Sequence, residues 1–402
     1  MADSALIKGL KTIKRGADTR NALRLIRGFE SRPVHDVIKV GFIVQMPEIW
    51  HVQQPIYKLM CEDGRFDPWL IIMPPYNIRN KSFEDNISGY FVNECINGNR
   101  IEAIKDGQWC DLVLDDFDYV FVQRPFSEYY PSHLKSWEIV RHTRLCYITY
   151  ATHEFEDNDE YPNDFFKDVY LGFHEDESVA DMLNAKYSKG THKRFYSVGY
   201  TSYEKGLSLD KECRYKRVLW APRWSTDSVV GGSHFLDYYK QMGEFDSNAG
   251  LLTVRPHPLM WDNFIKKGII TEEEKDKILS DWNANGIKTD KNPSILDTFN
   301  ETDILISDIS SVIPMFFMTG KPVIYCPFEC EYTPSFKKIL PGLYQARDWN
   351  ELSDTINRLL NGDDPLEKER GRILNEHFMK YVHSSEAIVE QIYNNSLEHK
   401  KE

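Results

Sequence analysis

Residues 303–326, DILISDISSVIPMFFMTGKPVIYC, compress a strand, a polar turn, an apolar helix and a second strand into one short stretch, the pattern of an α/β unit. Residues 304–306 read as a buried strand. Ser307, Asp308, Ser310 and Ser311 then crowd hydroxyls and a carboxylate onto the turn. Residues 312–318 read as an apolar helix, Gly320 stops it, and Lys321 and Pro322 lead into a strand over 323–326. A strand ending in hydroxyls at a helix start is how α/β proteins hold phosphate, because unpaired N–H groups and the positive end of the helix dipole face the anion. Ligands of such sheets bind outside the carboxyl ends of the strands. The competing reading is that Asp308 or Ser310 merely caps the helix.

With 402 residues, 41% of them hydrophobic and 13% aromatic, the chain has room for two domains with full cores. Its net charge of −13 argues against a nucleic-acid binder, which needs a basic surface for phosphates. Cys61, Cys95, Cys110, Cys146, Cys213, Cys326 and Cys330 are odd in number and form no C-x-x-C pair. That pattern argues against a disulfide framework or a zinc site and fits a reduced, cytoplasmic setting. The start of the chain lacks the apolar core of a signal peptide, and no apolar run reaches the roughly 18 residues that span a bilayer. It does carry Lys8, Lys11, Lys14, Arg15, Arg20, Arg24 and Arg27 between apolar residues. Such a leader either rests on an anionic membrane face or packs as a solvated helix on the first domain.

Strand-like runs over 37–44, 69–73, 119–123, 145–150 and 195–198 alternate with helical stretches over 55–61, 130–141 and 178–186. The pattern restarts with strands over 217–221, 250–254, 304–306 and 323–325, and with helices over 235–242 and 272–285. Alternation of this kind predicts parallel sheets covered on both faces. The expected fold is therefore α/β, two Rossmann-like domains facing a cleft, with a carboxyl-terminal helix. The expected division is a basic helical leader (1–35), an acceptor-side domain (36–202), a linker (203–216), a donor or nucleotide domain (217–364) and a helical tail (365–402). No G-x-G-x-x-G follows the first strand, which speaks against a dinucleotide oxidoreductase.

In the second half, three successive strand ends carry chemistry. Pro222, Arg223, Trp224 and Ser225 follow the first strand, Arg255, Pro256, His257 and Pro258 the second, and Ser307 to Ser311 the third. Guanidinium forks match phosphate oxygens, and a histidine steadies the charge on a leaving phosphate. Each residue also has a bland role: Arg223 as the partner of a surface carboxylate, His257 as a structural histidine in a rigid turn. Their coincidence on strand ends that share one edge favours a pyrophosphate site. Asp115, Asp116 and Asp118 look like a metal-binding D-x-D, but they precede a strand instead of ending one, so they read as a solvated turn and no metal site is assigned.

The runs VLWAPRWS, VRPHP and LISDISSVIPMFFMTGKPVIY, in this order and spacing, resemble the carboxyl-terminal domain of the CDP-glycerol glycerophosphotransferase family, the teichoic-acid and capsule polyol-phosphate transferases. The resemblance covers about residues 215–330. It implies a GT-B fold, a CDP-activated donor in the carboxyl-terminal domain, and a place at the inner membrane face. Carried over, His257 contacts the donor phosphates and Asp308, Ser310 and Ser311 cradle the pyrophosphate; from their own places on the strand ends, Ser307 joins them and Arg223 and Arg255 supply positive charge to the donor phosphates. The family's general base lies in a W-H-G-T-P-L-K-like segment. Here the corresponding stretch is YITYATHE, which makes His153 the candidate base while the G-T-P-L-K portion is absent.

The function expected is transfer of glycerol or ribitol phosphate from a CDP-activated donor to a hydroxyl of a glycan or lipid-linked acceptor in cell-surface polymer synthesis. No cofactor is required, and Mg2+ is compatible as an optional clamp. The partners expected are donor and acceptor, with peripheral association to an anionic membrane and no nucleic acid. Two alternatives share the phosphate site: a GT-B glycosyltransferase or epimerase using a nucleotide-sugar, and a catalytically degenerate nucleotide-binding paralogue.

Overall fold

The apolar runs become two all-parallel sheets, one in each of two units of the chain. The computed structural model describes residues 17–77, 80–152, 154, 164–208, 213–226, 232–245, 251–292 and 294–399. Unit 1 holds those up to Tyr150, those of 159–201 and those from His383 onward; unit 2 holds Ala151, Thr152, Glu154 and those of 202–382.

Unit 1 is built on β1 (Ile38–Val44), β2 (Phe66–Ile72), β3 (Arg100–Glu102), β4 (Tyr119–Val122), β5 (Arg144–Ile148), β6 (Leu171–His174) and β7 (Phe195–Ser197). Their order is β7-β6-β5-β4-β1-β2-β3, parallel throughout. β1 reads IKVGFIV and all but one of its residues are buried, the near-continuous apolar run of a strand covered on both faces. The chain runs outward from β1 to β3, then returns to lay β4 on the other side of β1.

Unit 2 repeats the plan with β8 (Val218–Ala221), β9 (Leu252–Val254), β10 (Lys288–Thr289), β11 (Ile304–Ser307), β12 (Val323–Tyr325) and β13 (Tyr344–Gln345). The order β10-β9-β8-β11-β12-β13 is again all parallel and reverses between β8 and β11. Under this sheet Trp220 stacks on Phe235 with centroids 5.6 Å apart, and Trp282 meets its edge at 6.1 Å. That packing fixes the strands while their carboxyl ends stay open. The α/β class with two Rossmann-like halves is thus the observed one.

Several segments depart from the sequence reading. The run expected to be a linker begins with a helix, Thr201–Ser208, in which Tyr203 and Leu207 are buried. Asp118 is not solvated: it is 4% exposed and its carboxylate accepts from the backbone N–H groups of His35 and Lys39. Asp115 and Asp116 are exposed, as expected of a turn. Of the basic leader, residues 1–16 lie outside the described residues, whereas 17–30 form a helix whose Ala22, Ile26 and Phe29 are buried in unit 1.

The last helix, Ser384–Leu397, belongs to unit 1. Ile388, Val389 and Ile392 are buried, Arg65 lies 4.2 Å over the Tyr393 ring, and the Tyr119 hydroxyl donates to Asn395 Oδ1 at 2.8 Å. Tyr119→Phe leaves that amide oxygen buried without a donor, so a loss of about 1–2 kcal/mol is expected in urea unfolding. An unchanged midpoint would show that the helix does not depend on this bond.

Candidate functional site

The strand-order reversal of unit 2 brings together residues far apart in sequence. Ala221 at the end of β8 is the register partner of Ser307 at the end of β11, and the Ser307 hydroxyl donates to Ala221 O at 2.8 Å. Ser307 Oγ also lies 3.2 Å from Ser310 Oγ, so the turn presents linked hydroxyls. In open α/β sheets the crevice at such a reversal is where ligands bind.

Asp308 does not cap the helix that follows. The helix, Val312–Phe317, has Ser311 at its N-cap and no side-chain cap bond. Asp308 is 2% exposed and accepts instead from Arg223 N at 2.9 Å, His234 N at 3.0 Å, His234 Nδ1 at 2.8 Å and Ser233 Oγ at 3.2 Å. Its carboxylate therefore ties the loop after β8 to the segment entering the helix Phe235–Phe245. With these donors in place, the carboxylate organises the turn around it. The helix itself is only six residues long, so its dipole is a minor contributor beside the side chains.

Arg223 is half-buried and its Nη1 donates to Ile309 O at 2.9 Å. Burial lowers its pKa, and the carboxylates of Glu154 and Asp308 oppose that shift; a guanidinium stays charged regardless. His257 is anchored by its backbone N–H on Pro222 O at 3.3 Å, while its Nδ1 accepts from Leu259 N–H at 3.1 Å. That bond leaves the ring proton on Nε2. Burial, reinforced by the Arg223 charge, pushes the pKa of His257 down to about 4. His257 is thus a neutral hydrogen-bond donor at neutral pH, not a fixed cation.

Arg255 turns the other way. It pairs with Asp290, side chains 15% and 5% exposed, and donates to Asn292 O at 2.9 Å, on the β9–β10 side of the sheet. Burial works against ionisation of Asp290, but the Thr298 hydroxyl, the Asn292 N–H and Arg255 outweigh it and lower its pKa. The structure therefore gathers Arg223, His257, Ser307, Asp308 and Ser310 at one reversal, and commits Arg255 to an ion pair. His153 lies outside the described residues.

Two residues not singled out by the sequence join the site. His234 is held between Asp308, the Tyr238 ring stacked at 5.4 Å and the Phe328 ring at 4.1 Å. Glu154 is 6% exposed, accepts from Thr152 Oγ1 at 2.6 Å, and acts on Arg223. Their only sequence signals are a histidine directly before a helix start and an acid beside the candidate base. Among the described residues no cluster of three or more His, Cys, Asp or Glu side chains is placed to hold a metal ion, and no helix is long and apolar enough to cross a membrane.

Two Rossmann-like units in one chain, one gathering Arg223, His257 and the Ser307 and Ser310 hydroxyls at its strand-order reversal, define a protein of the GT-B-like class. The family model described as CDP-Glycerol:Poly(glycerophosphate) glycerophosphotransferase matches residues 198–394, just under half of the sequence. The resemblance carried by the three motifs is thereby borne out. Among solved structures, the fold is similar to that of the wall teichoic acid polymerase TagF in a crystal soaked with CDPG, at 10% identity, 98% of each chain and a TM-score of 0.57. It is also similar to a candidate UDP-N-acetylglucosamine 2-epimerase from Listeria monocytogenes, at 10% identity, 91% of this chain, 99% of that one and a TM-score of 0.57. S. aureus MnaA with UDP matches at 13% identity, 90% of this chain, 99% of that one and a TM-score of 0.55. At these identities the likeness is one of fold. No curated protein sequence matches the chain.

Proposed function

We propose that the protein transfers a polyol phosphate, glycerol or ribitol phosphate, from a CDP-activated donor to a hydroxyl of a glycan or lipid-linked acceptor in the synthesis of a cell-surface polymer such as teichoic acid or capsule. One observation carries the reading: Arg223, His257 and the Ser307–Ser310 hydroxyl pair meet at the unit 2 reversal, inside the segment matched by the family model. The acceptor hydroxyl attacks the β-phosphorus in line. An O–P bond forms, the bond from that phosphorus to the bridging oxygen breaks, and CMP leaves with the electron pair. Arg223 and the Nε2–H of His257 meet the charge that develops on CMP, and the hydroxyls of Ser310 and Ser311 hold the pyrophosphate. Asp308 positions Arg223. The hydroxyl proton passes to His153 as base, the assignment that the family resemblance supplies.

A guanidinium and a ring N–H provide the electrostatic clamp, so activity is expected to persist in EDTA, with Mg2+ as an optional aid. Peripheral association with an anionic membrane belongs to the same reading, and co-sedimentation with anionic but not neutral vesicles checks it. Incubation with labelled CDP-glycerol, CDP-ribitol and a panel of UDP- and GDP-sugars tests the donor. CMP release from a CDP-polyol is expected; turnover of a UDP-sugar alone would sink the proposal. Arg223→Gln is expected to weaken CDP binding about tenfold, the scale of one charge-assisted contact.

A further inference from the structure

The strand-order reversal of unit 1, between β1 and β4, carries a second cluster that the donor site does not use. Gln45 and Met46 follow β1, and Gln123 and Arg124 follow β4. Gln123 Oε1 accepts from the N–H groups of Gln45 at 2.7 Å and Met46 at 2.8 Å, and its Nε2 donates to Met46 O at 3.0 Å. Gln53 Nε2 donates to Val122 O at 2.9 Å, and Gln45 Nε2 to Pro74 O at 2.8 Å. This frame of amides sets Arg124. Its backbone N–H donates to Tyr130 Oη at 3.0 Å, its Nη2 to Gln45 Oε1 at 2.6 Å, and its guanidinium lies 3.6 Å over the Tyr129 ring.

Arg124 is only 7% exposed, yet among the described residues no carboxylate pairs with it. Burial lowers its pKa, opposed by the phenols of Tyr130, Tyr129 and Tyr150 and by the exposed Glu128. A buried guanidinium without an anion is costly, and one neutral hydrogen bond and a ring offset that cost incompletely. A second observation points to a ligand: Gln53 is 1% exposed and its Oε1 is buried with no hydrogen-bond partner. Next to Tyr129 stand Tyr76 at 5.4 Å and Phe126 at 6.2 Å, and Phe126 meets Tyr150 at 6.1 Å, all partly buried. Such a wall offers apolar faces with polar rims.

We infer that this cluster is an anion subsite for a polyol phosphate ester, with Arg124 on the phosphate and Gln53 Oε1 accepting a polyol hydroxyl. The placement follows the rule that ligands bind at the reversal of an open α/β sheet. The inference rests on the transferase reading only for the ligand's role, which is that of the acceptor's terminal unit. Its recognition chemistry stands without it.

The test is calorimetric titration of the full chain with sn-glycerol 3-phosphate, with no nucleotide present, so failure of CDP-polyol turnover leaves it unaffected. Saturable binding is expected, with none for glycerol. Arg124→Gln is expected to weaken it at least about tenfold, while Arg223→Gln leaves it unchanged. Unchanged affinity in Arg124→Gln, or loss in Arg223→Gln alone, overturns the inference. If Arg124→Gln does not unfold cooperatively, Arg124→Lys, which keeps the charge but not the fork, is expected to fold and to bind with an intermediate affinity. Loss of folding in both makes the guanidinium structural and refutes the subsite. Phosphatidylglycerol vesicles form a second arm: Arg124-dependent binding to them without binding of the soluble ester identifies a lipid headgroup as the source of the phosphate.

Discussion

Asp308→Ala is expected to lower turnover of the CDP-polyol donor by about 100-fold or more and to destabilise unit 2 by roughly 3–4 kcal/mol. The carboxylate is the common acceptor for Arg223 N, His234 N, His234 Nδ1 and Ser233 Oγ, and it is 2% exposed, so water does not replace it. Each donor left unpaired costs about 1–3 kcal/mol, with incomplete additivity because the donors share one acceptor. The catalytic loss follows from geometry: with the loop after β8 untied, Arg223 no longer holds its place against the phosphate, and a displacement of about 1 Å suffices for two orders of magnitude. Asp308→Asn keeps one accepting oxygen and turns an amide N–H toward the other donors, so it falls between Ala and the parent. Urea midpoints paired with CMP release measure both effects. A stable Asp308→Ala protein with parental donor affinity would show that Asp308 has no positioning role.

Asp308 also marks where the sequence stops disclosing the site. The strands were legible because buried parallel strands are short apolar runs, and the chemistry after them was legible because parallel order places every carboxyl end on one edge. Which groups face a ligand was not. The motif alone offers Asp308 as a cap or a phosphate contact, and only the fold supplies His234, whose ring completes its coordination. Arg255 reads as a phosphate ligand by position, but β10 returns Asp290 to its side and captures the guanidinium. β6 escaped notice because Gly172 and His174 dilute a strand of only four residues. There the glycine is required by its neighbour, since a Cβ would stand 2.5 Å from the Phe195 ring on the paired strand. The last helix was legible as a helix. Its docking on unit 1 depends on Tyr119 and Arg65, partners that no local pattern could reveal.

The second large effect concerns acid. With a folded pKa of about 4 against 6.5 for the free side chain, His257 refuses a proton that the unfolded chain accepts. Between those values the unfolded state binds more protons, so stability rises with pH across this window. The contribution of neutral His257 is complete above about pH 6.5 and is lost as pH falls toward 4. Its full size is about 2–3 kcal/mol, allowing for partial solvent screening. Burial also lowers the pKa values of His133, His192 and His399, so the parent protein loses stability in acid for several reasons. The difference between parent and His257→Gln isolates one of them. Urea unfolding at pH 7 and pH 4.5 is expected to give a smaller drop for His257→Gln, by about 2 kcal/mol. Equal drops would mean that His257 is not held neutral by its surroundings. The same proton assignment bears on catalysis. With Nδ1 occupied by the Leu259 N–H, the ring has its Nε2–H to offer a phosphate oxygen, and no titration of His257 is expected in kcat/KM between pH 6 and 8. On the proposed transfer, a donor that never changes its protonation state during turnover acts on the departing CMP as a fixed dipole. That leaves the proton of the attacking hydroxyl to a separate base.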